Sequence, residues 1–197
     1  MATTATGWLT EALDATGQLV VGVRGEQWSD PTPCTDWTVR DLVNHLVAGN
    51  RLLSGLLRGE PSPSRSIPRG IDQLGAELVV AYRGAAAELL AAFELPGVMQ
   101  RVVSVPLGSV PGVVALHLRL IEAIVHGWDL AKATGQALQI PDELAGQELQ
   151  FTREKPADVR PGTRPFGPPQ PVAPDDPALD LLAACLGRSV GTTHAGT

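Results

Sequence analysis

Residues 118–135 read LRLIEAIVHGWDLAKATG. Their apolar spacing predicts a helix that ends at Gly135, with Lys132 suited to its negative end. Its decisive feature is the pair Glu122 and His126. A spacing of four puts a carboxylate and an imidazole on one face, one turn apart, where both can grip a divalent ion. A second helix-like stretch, residues 37–57, WTVRDLVNHLVAGNRLLSGLL, carries the single histidine His45. It lies about 60° round the axis from Leu42, at the edge of the apolar stripe. Facing helices of a bundle bring such side chains together from far apart in sequence. His45, Glu122 and His126 therefore form a candidate three-ligand metal site with a position left for water or substrate. The same Glu/His spacing also suits an ordinary solvated pair. Asp129, three residues after His126, is placed to orient a ligand from the outer shell, or even to coordinate, or simply to stay solvated near the helix end, the first being preferred.

Working outward, residues 7–24 show mostly helical spacing of Trp8, Leu9, Ala12, Leu13, Leu19, Val20 and Val23. The proline-bearing run 25–36 is a connection. Thr38 then reads as an N-cap with Asp41 as the acidic partner of a capping box, Trp37 and Leu42 as a hydrophobic staple, and Gly59 as the stop. EPSPSRSIPR before Gly70 is a loop. A third helix is expected from Ile71 to Phe93, ended by Pro96 and Gly97. RVVSV, residues 101–105, has no evident strand partner and is read as extended loop. Pro111 suits the first turn of the fourth helix, and a shorter fifth helix is expected over residues 142–154. KPADVRPGTRPFGPPQPVAPDDP follows as a proline-rich strap or tail. Asp176 as N-cap and Pro177 at the first position announce a last helix ending at Gly187. The expected fold is all-α: an antiparallel four-helix bundle over residues 1–155, with strap and C-terminal helix, 156–197, packed on it.

The chain has 197 residues, enough for one domain with a full core. A content of 44% hydrophobic and 18% charged residues places it among globular proteins, and no apolar run reaches membrane-spanning length. Net charge is −6 without a Lys/Arg cluster, which argues against nucleic acid as a partner. The first residues lack the features of a secretory signal, and two cysteines, Cys34 and Cys185, form no disulfide framework, so the cytoplasm is the expected compartment. The Ala, Gly, Val and Arg content points to a GC-rich bacterial genome.

His117 sits about 180° round the helix from His126 and is read as a surface or inter-helix histidine. His194 lies in the terminal run and is set aside. Both cysteines are read as packing residues. Trp37 and Trp128 fit either a pocket wall or plain core. Arg40, Arg51 and Arg119 read as readily as surface charges as substrate contacts. No Ser/His/Asp arrangement, phosphate-binding glycine loop or dinucleotide fingerprint occurs.

PTPCTDWTVRDLVNHLV together with EAIVHGWDLAKATGQ resembles the metal-binding domain of mycothiol-dependent maleylpyruvate isomerases, in the DinB-like superfamily of four-helix metalloproteins. FGPPQPVAPDDPALDLLAACLGR resembles the ending of short actinobacterial relatives. The resemblance implies metal ligation by His45, Glu122 and His126, and a bundle with the superfamily's crossover topology. It further implies that the low-molecular-weight thiol mycothiol binds at the metal as thiolate and attacks an electrophilic small molecule, in isomerisation or S-transfer. Zinc is the expected ion, with nickel, iron and manganese also suited to such ligands. The isomerase carries an additional C-terminal domain where this chain has a strap and one helix, so a differently built pocket and a substrate other than maleylpyruvate are expected. No catalytic residue is named by either route. A non-catalytic metal- or ligand-binding bundle is the alternative, and a homodimer is compatible with the sequence.

Overall fold

The computed structural model describes residues 4–61, 72–75, 77–154 and 166–191. Six α-helices dominate: α1 Ala5–Gly22, α2 Val39–Arg58, α3 Leu78–Phe93, α4 Gly112–Thr134, α5 Asp142–Glu154 and α6 Ala178–Cys185. The first four form the bundle. Helix α1 packs on α3 and α4, and α2 packs on the same two, so the sequence neighbours α1 and α2 sit diagonally. Two helices run in each direction. The buried Thr16 hydroxyl donates to Ala123 O and Gln136 Nε2 donates to Leu19 O, which sets α1 alongside α4 in the same sense. His45 beside Glu122 and Leu46 beside Arg119 set α2 against α4 in the opposite sense.

One apolar cluster, with Leu9, Leu57, Leu89, Leu116 and Leu120, fills one end of the bundle. A second, with Val43, Leu46, Tyr82 and Leu130, fills the other. Burial of such side chains contributes roughly 1.5–3 kcal/mol each and is the main force that holds the helices together. Tyr82 OH donates to Leu13 O at 3.0 Å, so the one phenol at the α1–α3 seam is satisfied. No helix of the described residues is long and apolar enough to cross a membrane.

The N-terminus of α2 is as expected: Thr38 caps it, the box with Asp41 is complete, and Gly59 closes the helix in the left-handed region. Three expectations change. First, α3 begins at Leu78, not near Ile71, which itself lies outside the described residues. Asp72 Oδ1 takes the amides of Leu74 and Gly75, and this local side-chain bond competes with a helical turn. Second, residues 101–105 are not loop. Val102–Val105 (β1) pairs antiparallel with Gly108–Pro111 (β2), joined through Pro106 and Leu107. Third, Asp176 does not cap α6; Pro177 occupies the cap position, while Asp142 of α5 accepts the Ala178 amide at 3.2 Å.

Helices α5 and α6 pack on each other and on α4. The chain after α6 returns against residue 167, where a Cβ on Gly187 would lie 2.7 Å from Gly167 Cα; with φ at 88°, only glycine fits that position. Most of the loop preceding Gly70, the first part of the proline-rich strap and His194 lie outside the described residues.

Candidate metal centre

The α2–α4 seam places the three sequence-selected side chains together. His45 Nε2 lies 2.9 Å from Glu122 Oε2, and His126 Nε2 lies 3.3 Å from the same oxygen. The ligand atoms all lie within 4.8 Å of one another. The rings of His45 and His126 meet edge to face at 5.1 Å. His126 is nearly sealed, at 4% side-chain exposure, whereas His45 and Glu122 keep 18% and 22%. What exposure the cluster keeps is therefore at His45 and Glu122.

Behind His126, the ring Nδ1 meets Asp129 Oδ2 at 3.0 Å. Asp129 is itself fully buried and held by Arg188 through Nε at 3.1 Å and Nη2 at 2.7 Å. A fork of two charge-assisted bonds fixes the carboxylate, which in turn fixes the imidazole with Nε2 turned towards Glu122. Arg188 comes from the turn after α6, and its guanidinium stands over the Phe166 ring, 5.4 Å away, which in turn lies 6.2 Å from His126. The C-terminal segment thus closes the back of the site.

Burial pushes the Glu122 carboxyl up, but its bonds to His126 and His45 outweigh this and hold it well below the usual carboxylate range. Burial likewise opposes charge on His126, yet Asp129 and Glu122 raise its pKa above the ordinary value. For His45, burial dominates and lowers the pKa despite Glu122. Asp129 is kept ionised against its burial by His126 and Arg188. A carboxylate oxygen between two imidazoles is a donor set that suits a divalent ion, and the Asp129 contact is of the kind that orients a histidine for such a role.

A cavity of about 590 Å³ opens over this cluster. His45, Glu122, His126 and Arg119 line it together with Asp36, Asp41 and Asn44; Leu52, Leu53, Leu56 and Leu118 give it an apolar part, and the hairpin tip Pro106–Leu107 also lines it. Trp37 forms another wall, tilted against His45 at 4.6 Å and stacked on His126 at 5.7 Å. The loop before α2 holds Trp37 there. Thr32 Oγ1 accepts the Cys34 amide at 3.2 Å and donates to Trp37 O at 3.0 Å, and Pro31 bridges to Thr38.

Several readings of individual residues change. Arg119 is not a surface charge: it is 5% exposed, lines the cavity and donates through Nη2 to Leu46 O at 3.3 Å. Its position three before Glu122 placed it on the site's helical face. Cys34 lines the cavity, with Sγ within 4.8 Å of ligand atoms of His126 and Asp129. Trp128 is no pocket wall; it is buried and donates to Asp180 of α6 at 2.7 Å. Arg40 and Arg51 are bound outside the cavity, to Asp72 and Gln73. His117 is an inter-helix histidine, bonded to Glu148 at 2.8 Å and stacked on Phe151. Arg188, which holds Asp129, is a partner that periodicity could not reach.

Residues 9–131 match the family described as the mycothiol maleylpyruvate isomerase N-terminal domain. Two uncharacterized proteins of Mycobacterium tuberculosis, from strain CDC 1551 / Oshkosh and strain ATCC 25618 / H37Rv, are each 39% identical over 181 residues, covering 91% of this chain and 94% of theirs. The fold is similar to crystal structures of the mycothiol-dependent maleylpyruvate isomerase and of a histidine-to-alanine mutant of it. In both the TM-score is 0.59 at 18% identity, over 78% of this chain and 75% of the other.

Proposed function

Because the chain belongs to the mycothiol maleylpyruvate isomerase N-terminal domain family, we propose that it is a mycothiol-dependent enzyme of isomerase or S-transferase type. It acts on an electrophilic small molecule at a divalent metal, zinc first, held by His45, Glu122 and His126. The observation that carries this reading is the convergence of those three ligand atoms within 4.8 Å in the lining of a cavity. When bound, such an ion stabilises a thiol as thiolate and so supplies a nucleophile at neutral pH.

The chain's own residues supply the rest. Asp129 keeps the proton of His126 on Nδ1, and Arg188 keeps Asp129 in place. The Trp37 wall and the leucine-lined sides exclude water and take the apolar part of a substrate. In this scheme the thiolate forms a C–S bond to an activated alkene as the C=C π pair moves onto the conjugated carbonyl. Rotation about the resulting single bond and expulsion of the thiolate re-form the C=C as the isomer, whereas protonation of the enolate carbon, with the thiol's own proton returned, leaves the S-conjugate. Residues 166–191, which provide Arg188 and Phe166, act as part of the same domain in this scheme.

The test is zinc-loaded protein with mycothiol and a panel of electrophiles, maleylpyruvate and other activated alkenes included, with products read by mass spectrometry. Thiol-dependent conversion of at least one compound is expected. Stoichiometric zinc with no conversion across the panel would favour a non-catalytic binding bundle.

A further inference from the structure

Arg119 is the part of the cavity that metal ligation leaves without a task. It is 5% exposed on α4, three residues before Glu122, and makes one bond, Nη2 to Leu46 O at 3.3 Å. Its Nε is buried with no hydrogen-bond partner; the Glu122 carboxylate acts on it through its charge without a direct bond. Among the described lining residues it is also the only arginine or lysine. A buried guanidinium with unfilled donors costs several kcal/mol unless something anionic completes it. The fork geometry of its donors fits a carboxylate. The same cavity is lined by Leu53, Leu56 and Leu118, and its other charged lining residues besides Glu122 are Asp36 and Asp41.

We propose that Arg119 recognises a carboxylate on the small-molecule substrate, so that the cavity selects acids with an apolar body. This rests on the cavity being the substrate site of the proposed enzyme. The carboxylate docks on the guanidinium, one turn of α4 away from the ligand cluster, and the rest of the molecule lies along the leucine wall with its reactive carbon over Glu122 and the two histidines.

The experiment compares binding of octanoate and 1-octanol by calorimetry, in both metal-free and zinc-loaded protein, for wild type and Arg119→Gln. Wild type should prefer octanoate by at least about tenfold, the scale of one charge-assisted hydrogen-bonded contact, in both preparations. Arg119→Gln should lose that preference and keep its octanol affinity and its zinc content. In wild type, the Nε–H signal of Arg119, assigned by its absence from Arg119→Lys, should shift with octanoate and stay fixed with octanol. Equal affinity of wild type for the two probes, a preference that persists in Arg119→Gln, or an unmoved Nε–H signal would each overturn the proposal. Elemental analysis of the same samples keeps the two readings apart. A wild type that takes up no zinc refutes the metal centre, while the metal-free titration still decides the role of Arg119.

Discussion

His126 and Asp129 stand one helical turn apart on α4, with Nδ1 of the ring 3.0 Å from Oδ2 of the carboxylate. Asp129 is also the end of a buried chain that begins at Arg188, beyond α6. Asp129→Asn should therefore act twice. It loosens the orientation and basicity of His126, lowering zinc affinity about 10–100-fold. It also leaves Arg188 buried without its counter-charge, at a cost of roughly 3–5 kcal/mol. Chelator competition reads the first effect and denaturant unfolding the second. Unchanged zinc affinity in a folded variant would mean that Asp129 serves packing alone.

The same contacts predict how metal affinity varies with pH. The pKa of His126 is raised in the folded chain, so in the metal-free protein its proton stabilises the fold below the unfolded value near 6.5, and that contribution is lost as pH rises through the raised value. A metal must displace this proton. Zinc affinity should rise with pH until His126 is neutral, by about tenfold per unit for one displaced proton. The lowered pKa of His45 adds no comparable step. Competition titrations at successive pH values check this, and a flat profile from pH 6 to 8 would contradict it.

Glu122 and Asp129 are depressed, so their contribution is present above their unfolded pKa values and disappears as pH falls through the folded ones. Thermal melts of metal-free protein should show a loss of stability confined to the acid side of the ordinary carboxylate range. Glu122→Gln should shrink that loss; an identical acid profile in Glu122→Gln would remove Glu122 from the account.

His117 offers a control inside the same helix. It is bonded to the buried Glu148 of α5 and stacks on Phe151 at 4.5 Å, away from the cavity. His117→Ala should lower stability by about 1–3 kcal/mol, because it strands a buried acceptor. Its zinc content should equal that of wild type. Loss of zinc in His117→Ala would mean that the histidines of α4 are not divided as described.

The start of α4 is equally constrained. A Cβ on Gly112 would come within 2.0 Å of Val98 O, a backbone atom that cannot rotate away. Gly112→Ala should cost about 1–3 kcal/mol through displaced backbone. Because β2 ends where α4 begins, it should also disturb the hairpin rim of the cavity. Chemical denaturation and proteolysis within residues 101–111 measure both effects.

What could be read from the sequence was what is local. Thr38 and Asp41 announce α2 because a cap needs only its own first turn, and Glu122 with His126 announces a face because four residues make one turn. Arg119 shares that face, and its spacing was visible, but its burial depends on the Leu46 carbonyl of another helix. The hairpin stayed hidden because its second strand, GSVP, combines glycine and proline, both poor strand formers, and only the turn at Pro106 and Leu107 brings it against VVSV. The Asp129–Arg188 pair spans 59 residues and a proline-rich strap, a distance over which no periodicity carries information. The shortened α3 follows from one Asp72 side chain that satisfies two amides locally.

The most direct measurement is elemental analysis of untagged protein, wild type beside Glu122→Ala and His126→Ala, after equilibration with zinc and removal of loosely bound ions. Close to one equivalent in the wild type and strong loss in both variants is the predicted result. Wild type and variants that are equally metal-free, or equally loaded, would contradict the assignment of His45, Glu122 and His126 as a metal centre.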